Sequence, residues 1–130
     1  MKTVIVDYGV GNLYSVQSAL KRVGDPAKVS NNKEEILHAD RLVLPGVGAF
    51  ESGMKHLTEY GLVDAVKNYA GSGKPLLGIC LGMQLLLSRS EENGLHSGLD
   101  LIRGRVIRLK PGDPGDHYKI PQIGWNSLKP

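Results

Sequence analysis

The one cysteine of the chain, Cys80, stands in the word Gly78-Ile79-Cys80-Leu81-Gly82-Met83-Gln84. A strand-like run, Pro75 to Ile79, leads into it and a helix-like run, Cys80 to Ser88, leaves it. That pattern fits a strand-to-helix elbow, which holds a nucleophile on a strained turn at the carboxyl end of a sheet. Gly78 and Gly82 lie two residues either side of Cys80, so no side chain stops the turn from closing. A helix starting there adds backbone N–H groups and the positive end of a dipole. Both lower a thiol pKa from its free value of about 8.5. A lone cysteine is more often a small buried residue packing a sheet. The flanking glycines and the strand-then-helix context favour the nucleophile.

Gln84 comes one helical turn after Cys80, on the same face. Its amide both donates and accepts, which suits recognition of another amide or of an amino acid. Taken alone it would be an ordinary exposed helix glutamine. The segment Pro45-Gly46-Val47-Gly48-Ala49-Phe50 follows another predicted strand. In a wound parallel sheet that loop shares an edge with Cys80, where ligands bind. Gly46, Val47 and Gly48 can turn backbone N–H groups toward a developing oxyanion, with the N–H of Leu81 as a second donor. Without the elbow, the same glycines would be a plain strand-to-helix turn.

These residues need a scaffold that brings strand ends together. Strands are predicted at Thr3 to Val6, Ala27 to Ser30, Arg41 to Leu44 and Pro75 to Ile79. Helices are predicted from Leu13 through Val23, over Lys33 to Ala39, Phe50 to Tyr60 and Leu62 to Ala70. Alternating strands and helices imply an α/β fold with a mostly parallel, doubly wound sheet joined by right-handed crossovers. After Asn93 the pattern changes. Gly104 to Leu109 and Tyr118 to Ile123 read as strands of a smaller antiparallel region, joined by the turn Pro111-Gly112-Asp113-Pro114-Gly115. The whole of residues 1–130 reads as one domain or part of one.

Bulk properties narrow the possibilities. The 130 residues are 41% hydrophobic and 22% charged, ordinary for a globular chain. A scattered net charge of +3 gives no argument for nucleic acid. Arg103, Arg105, Arg108 and Lys110 alternate with apolar residues, as on a solvated strand face or a surface for a phosphate-bearing partner. One cysteine permits no internal disulfide and no cysteine metal cluster, and fits a reducing compartment. The opening Met1-Lys2-Thr3-Val4-Ile5-Val6-Asp7 is too short and too soon charged to be expected as a signal peptide, and no run reaches the ~20 apolar residues of a membrane span. A cytoplasmic location is expected. Gly9-Val10-Gly11 lacks the third glycine of a dinucleotide fingerprint. Gly71-Ser72-Gly73-Lys74 has Asn68 and Pro75 where a phosphate loop needs glycine and Ser or Thr. His38, His56, His96 and His117 have no metal-ligand spacing and read as surface or loop residues. No metal and no cofactor is expected.

With these residues in view, the sequence resembles the class I glutamine amidotransferases. Within them it is similar to the glutaminase subunit of imidazole glycerol phosphate synthase. The resemblance rests on Asp7-Tyr8-Gly9-Val10-Gly11-Asn12-Leu13, Leu44-Pro45-Gly46-Val47-Gly48-Ala49-Phe50, the Cys80 word and Ile120-Pro121-Gln122-Ile123-Gly124-Trp125-Asn126. It implies a flavodoxin-like sheet and a glutaminase that hands ammonia to a partner synthase subunit, a (β/α)8 barrel, in histidine biosynthesis. Cys80 would form a glutamyl thioester, and Gln84 and the backbone at Gly48 would hold glutamine. Asn12 and Trp125 lie in words resembling the family's synthase-facing side. Trp125 is read as an interface anchor, with a place in the core as the other reading.

The family's catalytic histidine and glutamate form a His-x-Glu word in its C-terminal part. No histidine of this chain is followed two residues later by a glutamate. The sequence is therefore expected to be an amino-terminal part with the rest of the fold absent. With or without a synthase partner it should hydrolyse glutamine negligibly, and it should expose a sheet edge and apolar surface. Two other readings stay open. One is a related amidotransferase or cysteine hydrolase of another pathway. The other is a non-enzymatic flavodoxin-like module holding phosphate at Gly9-Val10-Gly11-Asn12.

Overall fold

A computed structural model describes residues 1–115 and 119–130. The β-branched run at the start forms strand β1 (Thr3–Val6), buried along its whole length. Alternate side chains leave a strand on opposite faces. Val4 and Val6 accordingly join one apolar cluster, and Ile5 joins another. Helix α1 (Leu13–Arg22) follows, started by Asn12, whose side chain accepts the Ser15 N–H at 3.2 Å. Then come β2 (Lys28–Ser30), α2 (Lys33–His38), β3 (Arg41–Leu44), α3 (Phe50–Glu59), α4 (Val63–Gly71) and β4 (Leu76–Gly78).

These four strands form one parallel sheet in the order β2-β1-β3-β4. The order reverses between β1 and β3, the switch point at which doubly wound sheets bind ligands beyond their carboxyl ends. Val4, Val6, Leu42 and Leu44 pack with Ile36, Leu57, Val66 and Leu85 on one face. On the other face α1 supplies cover, with Leu13, Val16 and Leu20 against Ile5 and Val43. Past its edge, Leu77 is 54% exposed.

Beyond Cys80 the chain departs from expectation. The helix predicted to reach Ser88 is only α5 (Leu81–Leu85), and Leu87–Ser90 is strand β5. It pairs with β6 (His96–Ser97) and β7 (Ile102–Val106) in the order β6-β5-β7. Two serines in four residues make a weak helix, and the partners on either side decide the conformation. This small sheet is mixed rather than antiparallel, because β7 runs parallel to β5. Strand β7 begins and ends earlier than the predicted Gly104 to Leu109. Residues 119–123 of the predicted last strand form none, and Tyr118 lies outside the described residues. Arg105 and Arg89 both bind Glu91, at 3.0 and 3.1 Å.

One ion pair near the sheet edge has a testable pH signature. Lys28 and Ser30 both donate to the Glu35 carboxylate, which holds it below the usual glutamate range. A depressed carboxyl contributes stability above its unfolded pKa and loses it as pH falls through the folded one. Glu35→Gln is therefore expected to melt lower than the parent at neutral pH. The two melting curves should converge as pH drops well below 4.5. A gap that stays constant down to that range would show that the pair is not the source.

Candidate active site

The elbow is built from close contacts between β4, α5 and the end of β3. Cys80 has φ 54 and ψ −119, a sparsely populated region for a residue with a side chain. A Cβ on Gly82 would lie 1.8 Å from the Leu44 carbonyl oxygen, and one on Gly78 would lie 2.6 Å from the Met83 Cα. Only glycine fits either place. The Ile79 N–H donates to the Leu44 carbonyl at 3.0 Å, so β4 stays tied to β3 up to the turn. The turn then ejects Cys80 into an exposed position.

The loop after β3 lies against this elbow. Pro45 and Gly46 are buried, while Val47 and Gly48 are exposed. Gly48 has φ +98, in the region that favours glycine. A Cβ on Gly46 would meet the Tyr8 hydroxyl at 2.6 Å and the Gly82 nitrogen at 2.8 Å. The Leu81 N–H, expected as an oxyanion donor, donates to the Gly46 carbonyl at 3.3 Å. It can serve an oxyanion only after that carbonyl turns away. The Gly82 N–H is also engaged, by the Ile79 carbonyl at 3.0 Å. Helix α5 is five residues long, so it lends Cys80 little more than one turn of aligned peptide dipoles. The long helix expected from the sequence would have lent more.

Gln84, on α5, lines a cavity of about 160 Å³ together with Gly48, Glu51, Ser90, Glu92, Asn93 and His96. A wider opening beside it is lined by Cys80, Gln84, Glu92, Asn93, Arg108 and Gln122, among others. Gln84, Glu92 and Asn93 thus face both spaces and connect the thiol to the Gly48 loop. A carboxylate, two carboxamides and backbone suit an amino acid's ammonium and amide groups. Sequence reading missed Glu92 and Asn93. They follow β5, and a helix running to Ser88 would have carried them elsewhere. No spacing signal could have found them.

His96 is not a plain loop residue. It lies in β6, half-buried, with Nε2 2.8 Å from the Asn93 carbonyl and 3.5 Å from Glu51. His38 and His56 sit on α2 and α3, each with Nδ1 2.8 Å from the carbonyl one turn earlier. His117 lies outside the described residues. Asn12 is exposed in the turn after β1, and Trp125 is fully exposed, so Trp125 fills no core in this chain. Among the described residues no cluster of three or more His, Cys, Asp or Glu could hold a metal. Nor is any helix among them long and apolar enough to cross a membrane.

The chain is similar in sequence and in structure to known proteins. The profile of the family described as glutamine amidotransferase class-I matches residues 4–126, and the chain belongs to that family. Within it, the imidazole glycerol phosphate synthase subunit HisH 1 of Legionella pneumophila (strain Paris) is 57% identical over 125 residues. That match covers 95% of this chain and 59% of the relative. Subunit HisH of Geobacillus thermodenitrificans (strain NG80-2) is 54% identical over 127 residues, covering 96% and 59%. The chain therefore spans about three fifths of the length of these relatives. A solved structure described as a crystal structure of glutamine amidotransferase superposes with a TM-score of 0.68 at 29% identity. It covers 81% of this chain and 56% of that one.

Proposed function

We propose that this chain carries the nucleophile and much of the glutamine site of a cytoplasmic glutaminase serving imidazole glycerol phosphate synthase. Residues 1–130 form the nucleophile-bearing part of that glutaminase domain. The observation that carries this reading is Cys80, held at φ 54 on the elbow and sharing its opening with Gln84 and Glu92. Glutamine enters with its amino-acid end toward Glu92 and Gln84 and its carboxamide toward the thiol. The Cys80 thiolate attacks the carboxamide carbon. A C–S bond forms and the carbonyl becomes an oxyanion, met by loop N–H groups near Gly48 and, once released, by that of Leu81. The adduct collapses, the amide nitrogen leaves as ammonia after protonation, and a glutamyl thioester remains. Water then attacks the thioester to give glutamate and the free thiol. The family's histidine and glutamate would move the protons. The ammonia passes to a (β/α)8-barrel synthase subunit that closes the imidazole ring.

A glutamine-like chloromethyl ketone tests the site. It is expected to add once, at Cys80, with L-glutamine slowing the addition. Labelling that ignores L-glutamine would sink the reading. The partner surface has its own test. Trp125 is fully exposed, and exposed tryptophans favour interfaces. Trp125→Ala should change folding stability by no more than about 0.5 kcal/mol. It should weaken binding of the barrel subunit by roughly tenfold or more. A variant that melts much lower yet binds normally would return Trp125 to a structural role. Asn12 belongs to the same proposed surface, although it also caps α1.

A further inference from the structure

Tyr8 is fully buried just beyond β1, and nothing in the proposed chemistry uses it. Its side chain crosses the switch point rather than packing locally. The hydroxyl donates to the Pro45 carbonyl at 2.5 Å, thirty-seven residues away, at the first residue of the oxyanion loop. The same oxygen would sit 2.6 Å from a Cβ on Gly46, and that Cβ would also crowd Gly82 and Leu81 of the elbow. Phenol, loop and elbow therefore meet at one point. The next carbonyl along, Gly46, accepts the Leu81 N–H.

We propose that Tyr8 is a positioning residue for the glutaminase chemistry. Its phenol fixes the Pro45 carbonyl, so that the Gly46–Gly48 backbone stays registered to Cys80. This rests on the glutaminase reading of the site. Pro45 is buried, so its carbonyl has a strong demand for a partner, and losing the phenol forces the loop to move or admit water. Burial, and then the charge of a Cys80 thiolate, push the phenol well above its usual pKa. Tyr8 therefore remains a neutral donor at any working pH. A tyrosine that merely filled the core would act through its ring, which phenylalanine keeps.

The test is Tyr8→Phe, read in two ways. Hydrogen exchange at the Leu81 amide reports the loop's hold on the elbow, with the Leu86 amide, bonded at the end of α5 to Met83, as the control. Leu81 exchange is expected to rise about tenfold or more with Leu86 unchanged. Labelling of Cys80 by the glutamine-like chloromethyl ketone, which develops an oxyanion, should slow roughly tenfold or more, because the loop N–H groups near Gly48 lose their register to Cys80 and one freed Leu81 N–H does not replace them. Alkylation by iodoacetamide needs only thiolate and access, and should keep its rate. Unchanged Leu81 protection overturns the proposal. So does a parallel rise at Leu81 and Leu86, which means general loosening, or an equal slowing with both reagents, which means an effect on the thiol itself. If parent labelling is insensitive to L-glutamine, the glutaminase reading fails, and the amide exchange still decides whether Tyr8 holds the loop.

Discussion

Cys80→Gly is expected to yield a protein that is more stable than the parent and chemically inert at the elbow. Cys80 holds φ 54 and ψ −119, and such a conformation costs a residue with a Cβ about 1–3 kcal/mol. Glycine adopts it without that penalty, but it adds freedom to the unfolded chain, which takes back up to about 1 kcal/mol. The side chain is exposed, so its removal leaves no core cavity. A net gain of about 1 kcal/mol is therefore expected in chemical denaturation, from a shifted midpoint at unchanged slope. Labelling by the glutamine-like ketone should vanish altogether, since the chain has no second thiol. Cys80→Ala should lose labelling equally but gain no stability, because alanine keeps the Cβ. Equal stability of the glycine and alanine variants would mean that the elbow is not strained.

Gly82→Ala is expected to destabilise the fold severely, although it adds a single methyl group. The new Cβ would lie 1.8 Å from the Leu44 carbonyl oxygen and 2.6 Å from its carbon. That oxygen also accepts the Ile79 N–H, so it cannot yield without loosening β3 from β4. Overpacking typically costs 1–3 kcal/mol, and a clash with a backbone tied into a sheet should exceed the middle of that range, at about 3 kcal/mol or more. The melting temperature should fall by roughly 10 °C or more. Gly71→Ala is the matched control. It sits at the end of α4 with nothing within 4 Å of a new Cβ. There alanine should stabilise by up to about 1 kcal/mol. A mild loss at Gly82 would mean that the elbow can shift away from β3 at low cost.

Much of this protein is decided by local chemistry that a sequence displays. β-Branched runs, the glycine turns between them and helical spacing on α1 locate the first four strands and four helices to within a few residues. Their alternation entails a parallel wound sheet, because a crossover helix can pack back in only one hand. The same alternation brings the ends of β3 and β4 to one edge. Cys80, Gln84 and the Gly46–Gly48 loop could thus be grouped from the sequence alone.

Tertiary structure decided the rest, for reasons of partner choice. Leu87-Ser88-Arg89-Ser90 has no strong preference of its own, and becomes a strand because β6 and β7 offer ladders on both sides. That choice shortens α5, reduces the dipole at Cys80, and delivers Glu92 and Asn93 to the cavity. The hydrogen bond from Leu81 to Gly46, and that from Tyr8 to Pro45, span thirty-five and thirty-seven residues. Residue type makes such bonds possible, but only the packed sheet sets which donor reaches which carbonyl. A local pattern reports what a segment prefers alone, whereas pairing and burial depend on neighbours distant in sequence.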